Sequence, residues 1–179
     1  MTSTYLKTFA LPAVSALLAL MVLPGAAGCG GSQGPGTATA ADLRDISEAR
    51  AGDMIAELMG ELGVPLSAPW PVNDGHQDPF DADFRIGETV YGIEWVSPQD
   101  RLDYGDRIPE PHATGQLQTL AGHGADEGVQ ILVLDHMSYR YDPDRERVQH
   151  GSTGIREVES RLRRDARDFV EYMRGQGVL

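Results

Sequence analysis

Five histidines are the side chains best suited to metal or proton chemistry, at His76, His112, His123, His136 and His150. No two stand four apart, so no helical turn presents a pair of ligands. A folded site built from this set would have to gather two of them with a carboxylate such as Asp135. The densest oxygen donors lie in Asn73-Asp74-Gly75-His76-Gln77-Asp78-Pro79-Phe80-Asp81-Ala82-Asp83. Asp74, Asp78, Asp81 and Asp83, with turn-forming glycine and proline between them, offer the hard ligands that a divalent cation such as calcium prefers. The spacing lacks the sixth-position glycine and terminal glutamate of an EF-hand, so a solvated acidic surface is the competing reading. Beyond this possible divalent cation no cofactor is expected. Zincin, CxxC and P-loop patterns are absent from the sequence, the GxSxG string Gly30–Gly34 falls in the Gly-rich stretch ahead of the folded part and not on a strand-to-helix elbow, and Lys7, the only lysine, leaves no candidate for a Schiff base in the folded part.

A second cluster is cationic. At about 100° per residue Arg156, Arg163, Arg167 and Arg174 fall on one line of the last helix, a solvated salt-bridged face or a site for an anionic partner. Trp70, between Pro69 and Pro71, is either an anchor strapping its segment to the domain or an exposed recognition residue.

These residues need a scaffold. Ala51, Met54, Ile55, Leu58 and Leu62 repeat at helical spacing and predict a helix from Asp42 to Leu62, capped by Thr39 or Asp42 and stopped by Gly63 and Pro65. Proline-rich 64–83 fits no regular element. Phe84–Ile86 and Thr89–Val96 read as a hairpin across Gly87-Glu88, with Tyr91, Ile93 and Trp95 toward the core. Residues 97–111 read as a polar loop, 112–121 as a short helix, and Gly122, Gly124 and Gly128 as its stop and turn. Val129–Leu134 is β-branched and apolar enough for a central strand buried on both faces. Alternation from His136 to Tyr141 predicts a strand, Asp142-Pro143-Asp144 a turn, and 147–150 an edge strand. Ile155, Val158, Leu162, Ala166, Phe169 and Met173 then predict a helix over 154–174, capped by Thr153, with Glu157–Arg161 and Glu159–Arg163 pairs along it. The fold class is α+β, an antiparallel or mixed sheet of about four to five strands with helices packed on it.

The N-terminal residues supply an address. Lys7 precedes an apolar run from Phe9 to Leu23, which ends at Pro24-Gly25 and is followed by Ala26-Ala27-Gly28-Cys29, with Cys29 the only cysteine. Small residues directly before a lone cysteine resemble the lipobox of bacterial lipoproteins. That resemblance covers residues 1–29 and implies lipidation of Cys29 after removal of a signal peptide, residues 1–28. Residues 29–41, with no charge and no large apolar residue, are then a lipid-anchored flexible tether to a single domain over 42–179. On the residues alone, ordinary secretory cleavage and an uncleaved membrane span remain the other two uses of this stretch.

The net charge of −12 repels nucleic-acid phosphates and anionic lipid headgroups, so nucleic acid is not an expected partner. The expected partners are the membrane, through the lipid at Cys29, and an envelope protein or matrix component. The expected function is that of a lipid-anchored, non-enzymatic binding domain. The alternative is a surface hydrolase using acidic residues of the 72–110 loops, with or without a cation.

Overall fold

The computed structural model describes residues 43–67, 69–111, 116–144 and 154–179. The proposed signal peptide, Cys29, the tether, His112, residues 147–150 and Thr153 lie outside them. Among the described residues no helix is long and apolar enough to cross a membrane.

The fold is α+β, as its periodicities predict. Helix α1 (Glu48–Glu61) starts six residues later than expected because Ser47 caps it, its side chain accepting the Arg50 N–H. Arg44 forms an isolated antiparallel bridge with Tyr141 instead of joining the helix. Residues 64–83 are not structureless. Short strands β1 (Leu66–Ser67), β2 (Trp70–Val72) and β3 (Phe80–Ala82) occupy them, and Pro71 is tolerated because β2 is paired on one side only. Strands β4 (Phe84–Ile86) and β5 (Tyr91–Val96) form the predicted antiparallel pair, but they are joined through residues 87–90 in place of a two-residue turn. Residues 97–111 contain helix α2 (Pro98–Tyr104), begun by a capping box between Ser97 and Asp100 with proline in its first turn.

Residues 118–121 form strand β6 (Gln118–Ala121), where a helix is expected from Leu117 and Leu120. Pairing with the next strand overrides that weak periodicity. Gly122 does not follow a helix; it closes the β6 turn, where a Cβ would sit 2.3 Å from the Asp126 carbonyl oxygen. Strand β7 (Gln130–Asp135) is central and buried as predicted. The alternation after Asp135 is not a strand. The Asp135 side chain accepts the Met137 N–H at 2.8 Å and starts a 3-10 helix, His136–Tyr139. Helix α3 (Ile155–Gly175) closes the chain, with Gly154 in the capping position.

The main sheet runs β1-β4-β5-β7-β6, with β5 and β7 parallel and the other neighbours antiparallel; β2 and β3 form a separate pair. On one face α1 and α3 bury Met54, Ile55, Leu58, Leu162 and Phe169 against Ile93, Trp95 and Leu132. On the other, Val72 and Phe80 of the small sheet cover Val96, Ile131 and Val133. Strand β5 is therefore buried on both faces, which places Glu94 inside the protein although its alternation suggests a wet side.

Candidate functional site

The acidic loop is built around an arginine. The Arg107 guanidinium donates to both carboxylate oxygens of Asp74, at 2.9 and 3.0 Å, and to the Asp78 carbonyl at 2.9 Å, while lying 5.0 Å from the Tyr104 ring centre. His76 Nδ1 is 3.1 Å from Asp74, leaving an exposed imidazole beside a buried carboxylate. Burial alone would raise the Asp74 pKa, but the Arg107 hydrogen bonds and the His76 N–H outweigh it and hold the group below its ordinary value.

The four expected cation ligands do not converge. Asp74 faces Arg107, Asp81 is exposed, and Asp83 turns toward β5. Among the described residues no group of three or more His, Cys, Asp or Glu side chains is placed to hold a metal ion. His136 does approach Asp135, with Nδ1 3.6 Å from the carboxylate and 3.1 Å from the Val96 carbonyl. The Arg101 guanidinium, however, donates to Asp135 at 2.7 Å and occupies the position a cation would take.

The strongest electrostatic perturbation lies at Asp83 and Glu94. Glu94 is 2% exposed. Burial, reinforced by the neighbouring Asp83 charge, pushes its pKa up to about 9, and burial raises that of Asp83 as well. Asp83 opens on a groove of about 500 Å³ at the start of α1, bordered by Ser47, Glu48, Gly52 and Phe84.

A second, polar cleft of about 290 Å³ lies at the carboxyl end of β7 and the start of β6. Pro109, Leu117, Met137, Arg161, Arg164 and Asp165 line it. Met137 and Leu117 are exposed. Arg161 donates to the Ser138 carbonyl at 2.9 Å, and Arg164 pairs with Asp165 at 3.0 Å while its side chain stays 63% exposed.

The expected arginine line is divided by the packing. Arg163 bonds Glu57 and Glu61 of α1, and Arg174 bonds Glu171 and the Leu62 carbonyl. Arg156 and Arg167 are exposed on α3. Glu159 joins Arg50 on α1 instead of Arg163, so these charges tie two helices together where pairing along α3 is expected. Trp70 is half-buried against the second core, with the Arg85 guanidinium 4.7 Å from its ring centre.

Sequence reasoning did not single out Glu94, Arg107, Arg161 or Arg164 as site residues. A glutamate within an apolar strand run was the one available signal, at Glu94. No family model, curated protein or solved structure matches this chain.

Proposed function

We propose that the chain is a lipid-anchored cell-envelope protein whose α+β domain binds another envelope protein or a matrix component and carries out no reaction of its own. The anchor is Cys29, preceded by the small residues of a lipobox-like stretch. The observation that carries the binding reading is the cleft beside β6. It sets exposed apolar Leu117 and Met137 next to the guanidinium groups of Arg161 and Arg164, so it can receive an apolar side chain and a carboxylate together. The test is a photocrosslinking amino acid at Met137 of the full chain in intact cells, with the same group at exposed Val178 as control. A discrete adduct from position 137 alone is expected; identical patterns from both positions overturn the reading. Cys29→Ser should release the protein from membranes, and retention after a high-salt wash overturns the anchor.

A second reading, a surface hydrolase with or without a cation, is favoured by Asp83 and Glu94. Asp83 borders a groove, and burial raises its pKa beside the buried Glu94, which suits Asp83 to general acid chemistry. Its test is hydrolysis of a panel of glycan, ester and peptide substrates by the intact protein. Activity abolished by Asp83→Asn supports it, and activity unchanged by that substitution removes these carboxylates from the chemistry.

A further inference from the structure

The two edges of the main sheet are treated differently. At one edge β1 is two residues long and set between Pro65 and Pro69, which blunts it against pairing with another chain. At the other edge lies β6, and among the described residues no strand lies on its outer side. Residues 116–122, Gln-Leu-Gln-Thr-Leu-Ala-Gly, contain no charge and no proline, although charged residues make up 23% of the chain. Among the described residues neither charge nor proline guards this edge, and a loop covers only its far end, where the His123 N–H donates to the Asn73 carbonyl at 2.6 Å.

The face of β6 is open as well. Thr119 pairs with Leu132, a core residue on the helix-bearing face, and Ala121 pairs with Gln130, so both point to that face. Both are nevertheless exposed. Among the described residues the helical layer thus stops short of β6. The polar cleft lies at the N-terminal end of this strand, bordered by Gln116, Leu117 and Gln118. Arg101, Arg161 and Arg164 meet Asp135, Asp165 and, 3.9 Å from Arg101, Glu110 there, so this end is locally neutral within a protein of net charge −12. A second copy of so acidic a chain is repelled, whereas a single carboxylate can be received by Arg164, whose side chain stays 63% exposed.

We infer that β6 takes up an extended peptide segment of the binding partner as an additional strand, antiparallel to β6, with the segment's C-terminal carboxylate over Arg161 and Arg164. The inference rests on the binding reading above and specifies how the partner is held. Main-chain hydrogen bonds along Gln118–Ala121 supply affinity, Leu117 and Met137 receive the last apolar side chain, and the arginines fix direction and register.

The probe is a randomised hexapeptide library with free C-termini, presented to the detergent-solubilised full chain beside the same library with amidated C-termini. Enrichment from the free library only is expected. The selected peptide should slow hydrogen exchange at the amides of Thr119 and Ala121, which face away from β7, and Arg161→Gln with Arg164→Gln should weaken it at least tenfold. No enrichment, equal capture of amidated peptides, protection confined to other elements, or unchanged affinity in the double variant each overturns strand addition. So does a concentration-dependent dimer whose own β6 amides are protected. A discrete adduct from position 137 in cells, obtained alongside any of these failures, leaves the binding reading standing and removes only this mode of binding.

Discussion

Asp83 and Glu94 tie their two strands together: the Asp83 N–H donates to Glu94 Oε2 at 2.9 Å, and Asp83 Oδ2 accepts the N–H of the residue after Glu94, Trp95, at 2.9 Å. Two carboxyl groups thereby fasten the entry of β4 to β5, with Asp100 and Glu48 adding further negative potential and no cation among the influences on Glu94. A proton must stand in for the missing positive charge.

Stability should therefore fall with rising pH across a defined window. Below the ordinary Glu94 value of 4.5 the group is protonated whether the chain is folded or not. Between that value and about 9 the unfolded chain ionises while the folded one keeps its proton, so stability drains away; above about 9 the loss is complete. Glu94→Gln retains the acceptor and removes the titration. Thermal melts at pH 4 and pH 8 should show a larger gain for Glu94→Gln at the higher pH; parallel curves would place an ionised Glu94 in the fold.

Arg107→Ala leaves the Asp74 carboxylate buried without its bidentate partner, and a cost of about 3–5 kcal/mol is expected from urea unfolding. Arg107→Lys should recover part of it, since lysine restores charge without the two-pronged geometry. A wild-type midpoint for Arg107→Ala would mean that solvent already satisfies Asp74.

Two glycine substitutions should act in opposite directions. At Gly122 an added Cβ meets the Asp126 carbonyl oxygen and the Val129 side chain, so Gly122→Ala should cost about 1–3 kcal/mol. At Gly60, within α1, it meets nothing within 4 Å, and Gly60→Ala should add about 1 kcal/mol through helix propensity. Melting temperatures moving the same way would contradict the β6 turn geometry.

Leu162 is wholly buried between α3 and the sheet, so Leu162→Asp places a charge where no water reaches. The expected cost of several kcal/mol is comparable to the whole stability of a domain. An insoluble or unfolded product is the expected outcome, and a soluble variant with unchanged melting temperature would make the α3 stripe a surface.

Helices α1 and α3 and strand β7 were legible because each buries one long periodic or continuous apolar pattern. The elements misread are those decided by partners distant in sequence. Leu117 and Leu120 stand three apart, as on a helix, yet β6 exists because Leu120 pairs with Ile131. Short β2 and β3 need each other's main chains, which composition rich in proline conceals. Helix α2 is different, for Ser97, Pro98 and Asp100 spell out its capping box, and the signal was simply outweighed by the polarity of the stretch. The site was less legible than the fold. Asp74 and Arg107 are separated by 33 positions, and the approach of Asp83 to Glu94 depends on the β4–β5 register.

The clamp at Arg44 and Tyr141 has a mechanical consequence. Two main-chain hydrogen bonds of 2.8 and 2.9 Å join these residues, and Arg140 adds an ion pair with Asp45 at 3.1 Å and a bond to the Leu43 carbonyl. Any pull transmitted along the chain from before residue 43 enters the domain here, ahead of α1. The bridge is a single rung, so under load it would part before the layers it guards, freeing the few residues ahead of α1 while the sheet stays whole.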